Sequence, residues 1–400
     1  MRKLTARSFI RHTLLYAIPF MWALVAAEVS ADEIHSGGGE VFRPLGTTSV
    51  AFIRPDSPSA DEEGAYATFR ECYPQAPDAL TCAEFSPQWC DENEIKAVWI
   101  HINRAGVAKG WENLPQEFID SEFLAKLKAY SVSGGKMYLS GLATQLLVAV
   151  GRQPETYAPN IYFGDTSGSA VARLNAADPW GVTGKLSDAD HDGAGSFGHA
   201  MHAIYGQTAD NYPGYFAALT PADPKQNPPH LFSVLGPAEG ETLDATDNNC
   251  MWQATDKNGF RRDNNAQVLG TWGQCAHDAL ECGIVEFVPD TDNGIAGHAR
   301  FGTDTEPWLG NTIANGMACF QYANRESNIH YANLRNMTFN TINYLTEEYK
   351  EHVPSSVTEA SPNQSASPAI WYDMMGIRVP YPVKGLYIMV SGDKRTKVMF

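Results

Sequence analysis

The sequence predicts an α/β domain with a doubly wound, mostly parallel sheet, long loop insertions and a small C-terminal β-tail. Three observations predict it. Short apolar runs without polar alternation, SVAFI (49–53), IKAVWIHI (95–102) and GGKMYLSG (134–141), read as strands covered on both faces. Helical patterns separate them. A strand–helix–strand–helix order implies right-handed βαβ units and hence a parallel sheet.

The elements run in order along the chain. Pro55 to Pro58 end the first strand, and residues 59–71 read as a helix with Ser59 as N-cap. Asp61, Glu62 and Glu63 fall in its first turn, where the helix dipole favours acids. Ile119, Phe123, Leu124, Leu127 and Tyr130 form an apolar stripe that predicts a helix over 116–130. The strand at 134–141 runs into an apolar helix, ATQLLVAVG (143–151), which Gly151 ends. Residues 152–260 are rich in Asp, Asn, Gly and Pro and read as long loops with occasional strands such as HLFSVLG (230–236). Order returns with strands at CGIVEFVP (282–289) and NGMACFQY (315–322), then a long amphipathic helix over 329–349.

The two ends differ from this body. Arg2, Lys3, Arg7 and Arg11 precede an apolar stretch from Leu14 to Ala27, and Val29-Ser30-Ala31 closes it with a small-x-small pattern. Residues 1–31 therefore read as a cleaved signal peptide, with an N-terminal membrane anchor as the competing reading. Residues 32–45 are a glycine-containing lead-in, 46–350 the α/β domain, and 351–368 a Ser/Pro-rich linker. The tail, 369–400, reads as short strands, with GLYIMV and KRTKVMF forming a hairpin around Ser391-Gly392-Asp393.

The whole chain carries 29 Lys and Arg against 46 Asp and Glu. Once the mostly basic signal segment is set aside, the remainder is about 20 charges negative. Such a surface repels nucleic acid and anionic membrane and suits a neutral or cationic partner. The seven cysteines (Cys72, Cys82, Cys90, Cys250, Cys275, Cys282 and Cys319) make disulfides plausible in an oxidising compartment, with one thiol left over. Their spacing does not match a zinc knuckle.

Four segments carry a resemblance: AVWIHI (97–102), GGKMYLSGLATQLLVAVG (134–151), HAIYG (202–206) and NGMACFQYANRESNIHYANLRNMTFNTINYL (315–345). Together they resemble the class I glutamine-amidotransferase-like fold, a flavodoxin-like doubly wound order. More narrowly, they are similar to secreted Bacteroidetes domains of no assigned function near the trehalose-utilisation-type group. The resemblance spans roughly 46–349 and implies a place beside glycan-utilisation systems, with a polysaccharide or oligosaccharide as partner. The tail resembles the C-terminal β-module of secreted Bacteroidales proteins, similar to a sorting tail, although Met399-Phe400 departs from the usual basic ending.

An amidotransferase needs a cysteine on the turn after the central strand. Here the turn is Ser140-Gly141-Leu142-Ala143-Thr144 and holds none, so no catalytic residue is assigned. Cys319 is the cysteine expected to approach by packing. Asp188, Asp190 and Asp192, followed by Gly193, have the alternate-acid spacing that opens a calcium loop. Position 12 is His199, however, and a solvated acidic turn competes as a reading. Calcium is therefore the candidate cofactor. His199 and His202 stand near that turn and are candidate ligand-binding groups. His101, near the C-terminal end of a predicted parallel strand, lies where open α/β sheets bind ligands, with a core histidine as the other reading. Trp252 and Trp272, beside Asn248, Asn249 and Gln274, pair aromatic faces with amides, which suits a sugar ring and equally a packed core. These residues support two functions. One is an exported, non-catalytic accessory or glycan-binding protein. The other is a metal-assisted hydrolase of a carbohydrate or its ester, working through Asp190, His199 and His202.

Overall fold

The computed structural model describes residues 42–104, 107–162, 180–182, 200, 202–210, 212–221, 232–235, 249–254, 256–271, 280–289, 308–316, 322–346, 370–373, 378–379, 386–391 and 394–399. The predicted signal segment and the linker lie outside these residues. The chain divides into two units, Met1–Arg43 and Pro44–Phe400, and all of the described strands and helices lie in the second.

Three strands, β1 (Val50–Ile53), β2 (Ala97–Ile102) and β3 (Lys136–Gly141), run parallel and adjacent, with Val50 opposite Ala97 and Ile102 opposite Gly141. Almost every residue in them is buried, which is why they read as unbroken apolar runs. Helix α1 (Ala60–Cys72) follows β1. Its N-terminus is closed by a capping box: the Ser59 hydroxyl accepts from the Glu62 amide, and the Glu62 carboxylate accepts from the Ser59 amide at 2.7 Å. The chain then passes Leu80 on the outer edge of β1, where it bridges Ile53 in parallel, before the short helix α2 (Pro87–Glu92) leads into β2.

The helix expected over 116–130 is two pieces, α3 (Gln116–Ile119) and α4 (Ser121–Val132). Asp120 explains the break. Its side chain caps α4 by accepting from the amides of Glu122 and Phe123, and this requires extended backbone at the join. After β3 a 3-10 turn (Leu142–Gln145) precedes the one-turn helix α5 (Leu146–Ala149).

Beyond β3 the loop-rich stretch contains more structure than its composition suggests. Strands β4 (Asn160–Tyr162), β5 (Trp180–Val182), β6 (Phe232–Leu235) and β7 (Asn249–Ala254) occur there; helix α6 (Lys257–Asn264) and β8 (Ala266–Thr271) follow, and β9 (Leu280–Phe287) is the strand expected at 282–289. β10 (Thr312–Asn315) ends at the first residue of the strand expected at 315–322, of which 317–321 lie outside the described residues and Tyr322 opens a 3-10 turn. β10 joins β3 in parallel, so β1-β2-β3-β10 is a continuous parallel half. β9 pairs β10, β8 and β7 antiparallel, and β4 pairs β7. Phe287 pairs both Thr312 and Ala266, while Cys282 pairs both Trp252 and Thr271. β10 and β7 therefore occupy one side of β9 in succession, and β8 holds the other. The result is an α/β fold on a mixed sheet. β5 and β6 form a separate antiparallel pair.

Helix α7 (Tyr331–Thr346) is buried along its length although it carries four asparagines. They repeat on one face at 333, 336, 340 and 343 and bind main chain. Asn333 accepts from the Thr220 amide and donates to the Thr220 carbonyl, both at 2.8 Å. Asn340 does the same to Ala217 and also reaches the Ile204 carbonyl. Asn336 donates to the Ala218 carbonyl, and Asn343 donates to the Tyr215 carbonyl while accepting from the Tyr73 hydroxyl. The segment 204–220 has little secondary structure of its own, and these amides satisfy its backbone.

The tail strands β11 (Ile370–Asp373), β12 (Arg378–Val379), β13 (Leu386–Ser391) and β14 (Lys394–Met399) form an antiparallel sheet in the order β12-β11-β13-β14. The β13–β14 pairing is the predicted hairpin. Cys72, Cys82, Cys90 and Cys250 are free, buried thiols rather than disulfide partners, and burial pushes each of them up, Cys90 to about 12. Among the described residues no helix is long and apolar enough to cross a membrane.

Candidate functional site

Strand direction sets the site. β1, β2, β3 and β10 all point their C-terminal ends the same way, and α1 begins at that edge. Four polar groups converge there: Asp61 in the first turn of α1, His101 one residue before the end of β2, Ser140 opposite it on β3, and Asn103 just past β2. The first three are buried, at 7%, 1% and 0% exposure.

The hydrogen bonds form a directed chain. An indole nitrogen can only donate, so Trp99 Nε1 donates to Ser140 Oγ at 2.8 Å. Asp61 Oδ2 lies 2.7 Å from His101 Nε2, and a carboxylate accepts, which puts the proton of a neutral imidazole on Nε2. His101 Nδ1 is then an acceptor, and Ser140 donates to it at 2.8 Å. Asp61 also accepts from Asn103 Nδ2 at 3.0 Å and, through Oδ1, from the Ala323 amide at 2.8 Å. One carboxylate thus ties β2, the chain leaving it, and the turn after β10.

The neighbours close the site. The Tyr322 ring stands edge-on to His101, with centroids 5.0 Å apart. Burial pushes its phenol well above the ordinary range, and its hydroxyl shares a hydrogen bond with Thr338. A Cβ at Gly64 would lie 2.3 Å from the Tyr322 carbonyl oxygen, so only glycine lets α1 approach that turn. Glu62 receives the Asn103 amide at 3.1 Å and pairs with Arg104 at 2.9 Å. Burial raises its carboxyl, while the Ser59 amide, Arg104 and the Asn103 amide pull it back down.

The turn after β3 has no nucleophile to present. Gly141 adopts φ 63°, and a Cβ there would meet the Ile102 carbonyl at 2.5 Å. Leu142 and Ala143 are fully buried in the apolar core, and Thr144 is spent on the Gly141 carbonyl. A cysteine does reach this turn, Cys250 of β7; Cys319, the cysteine expected there, lies outside the described residues. The Thr144 and Gln145 side chains beside Cys250 pull its thiol down, yet burial outweighs them and pushes it up to about 11. It is protonated at neutral pH and has no histidine beside it among the described contacts. The antiparallel β7–β9 pairing brings it there, and sequence spacing carries no signal of that.

Of the other predicted site residues, His202 is half-buried and bonds Gln207 at 3.0 Å. No described hydrogen bond joins it to the His101 chain. Trp252 is buried at 1% exposure, and its indole donates to Gln153, itself bonded to Asn264. Its ring belongs to the core. His199, Trp272, Asp188, Asp190 and Asp192 lie outside the described residues. Among the described residues no three His, Cys, Asp or Glu side chains are grouped to hold a metal ion. Sequence alone does not single out Asp61, Asn103 or Ser140 as ligand groups. Asp61 has a legible signal as an acid in a first helical turn, but its partner across the sheet does not.

No protein-family model matches the chain, and no curated protein matches it. The class of protein is therefore defined by the geometry: an α/β fold with a closed polar chain at its strand ends.

Proposed function

We propose that the protein is an exported, non-catalytic accessory protein that binds a glycan on a degenerate amidotransferase-like scaffold. One observation carries the non-catalytic part. At the edge where an open α/β sheet places its chemistry, the reactive groups Asp61, His101 and Ser140 are all buried away from a substrate. Ser140 accepts from Trp99 and donates to His101, and His101 donates to Asp61. The turn beside them offers only Leu142 and Ala143. A hydrogen bond to a histidine held by an aspartate would prime an exposed serine, but Ser140 has no exposed surface, so no substrate reaches its hydroxyl while the chain stays closed.

The acidic balance of the chain supports an uncharged oligosaccharide or polysaccharide over nucleic acid or an anionic membrane. The basic-apolar-small order of residues 1–31 supports export to the periplasm, cell surface or medium. The test is a glycan array on protein lacking that segment, run with and without calcium because of the Asp188–Asp192 spacing. A glutaminase assay and an ester-hydrolysis assay accompany it. The expected result is saturable binding to one glycan class and no turnover. Thiol-sensitive glutamine hydrolysis, or ester cleavage abolished by Ser140→Ala, would overturn the reading.

A further inference from the structure

One carboxyl group in the sheet takes no part in the strand-end chain. Glu286 stands on β9 in register with Ile313 of β10 and Gln267 of β8, and it is 1% exposed. Its Oε1 accepts from the Tyr344 hydroxyl of α7 at 2.8 Å and from Asn311 Nδ2, just before β10, at 3.1 Å. Its Oε2 is buried with no hydrogen-bond partner.

The groups around it are few. β3 contributes the charge of Lys136, acting through space, and Tyr138 in the same cross-strand row. β8 contributes Gln267, which is held by Arg261 of α6. α7 contributes Tyr344. None of these pairs with Oε2. An ionised carboxylate here leaves one buried oxygen without a protein donor, which favours the neutral acid.

We propose that Glu286 is a proton-operated latch between α7 and the sheet. With its proton in place, the final turn of α7 seats on β9 and β10 through Tyr344. Loss of the proton tightens the Tyr344 bond but leaves a charge on the unpartnered, buried Oε2, and relieving that charge by letting water in loosens the seat, and with it the segment 204–220 that the α7 asparagines hold. Burial pushes the Glu286 carboxyl up to about 7, against the opposing pull of Tyr344 and Lys136. An ordinary glutamate ionises near 4.5. Between those values the folded chain keeps a proton that the unfolded chain has lost. Unfolding then releases a proton, so the latch contributes fully below pH 4.5 and is lost as pH rises through 7. Across that window the folded-to-unfolded ratio falls by roughly 300-fold. The Glu62 carboxyl shifts in the same direction, so a comparison with a Glu286 variant isolates the latch.

The test uses the whole protein. Equilibrium unfolding of the wild type and Glu286→Gln is followed from pH 5 to 8.5, together with hydrogen exchange in 331–346 and 202–220, corrected for the intrinsic rate. The wild type should lose roughly 100-fold in its folding constant, the variant at least tenfold less, and α7 protection should fall with pH only in the wild type. Tyr344→Phe, which removes a donor to Oε1, should move the midpoint to higher pH. An equal slope in wild type and Glu286→Gln overturns the proposal, as does pH-independent exchange in α7. Should Glu286→Gln fail to fold, a ¹³C-carboxyl titration of the wild type, with Glu62 identified by Glu62→Gln, decides: a glutamate that titrates near neutrality in both proteins supports the latch, and none doing so overturns it.

Discussion

On one side of β1, β2 and β3, Ala51, Ile53, Val98, Ile100, Met137 and Leu139 meet Phe123, Leu127 and Tyr130 of α4 in an apolar layer. On the other side the same strands present Trp99, His101, Tyr138 and Ser140 to α1 and α7, and there aromatic rings alternate with bonded polar groups. The first face is held by area removed from water, which tolerates reshuffling of shape. The second is held by named donors and acceptors, each of which needs its partner because the face is dry. Burial alone is therefore no guide to function in this chain. His101 and Val98 are equally buried, and only one can be changed for an isostere without stranding a polar atom.

Four measurements can break or sharpen that contrast. The largest effect belongs to the apolar face: Leu139→Ala should cost about 3–5 kcal/mol in denaturant unfolding, because transfer and cavity terms add. Asp61→Ala should cost about 3 kcal/mol by stranding the His101 and Asn103 donors and the Ala323 amide, whereas Asp61→Asn keeps an acceptor and should cost roughly half as much. If the two substitutions cost the same, the polar face is held by packing after all. Asn340→Ala should cost about 2 kcal/mol and raise proteolysis within 204–220 before global unfolding. The smallest effect is at the surface. Glu63→Gln breaks a part-exposed pair with Arg54 and should shift stability by less than about 1 kcal/mol, vanishing in high salt.

The apolar face is the legible one. SVAFI, IKAVWIHI and GGKMYLSG are β1, β2 and β3 in parallel, because runs buried on both sides leave a signal of pure hydrophobicity. Ser59 and Glu62 predict the start of α1 by local chemistry alone. The antiparallel half is legible only in β9, which is the strand expected at CGIVEFVP. β7 and β8 carry Asn249, Gln253, Gln267 and Gly270, and pairing with β9 rather than local pattern makes them strands. The same holds for the site. Sequence places His101 at a strand end, but Asp61 lies 40 residues away in the chain, and only the crossover through α1 brings the two within 2.7 Å. Cys250 reaching the turn after β3 is a still longer-range event, set by the order of strands rather than by any motif.

The asparagines of α7 have an evolutionary consequence. In the hydrogen bonds described above, Asn333, Asn336, Asn340 and Asn343 address carbonyls and amides of the facing segment. At those bonds the helix reads the path of the segment and is blind to its spelling. Substitutions at Tyr215, Ala218 or Thr220 can accumulate without loosening the grip so long as the main chain keeps its course, and new surface chemistry can be written there at little structural risk. The exception is proline at 217 or 220, where the amide hydrogen that Asn340 or Asn333 accepts would be gone.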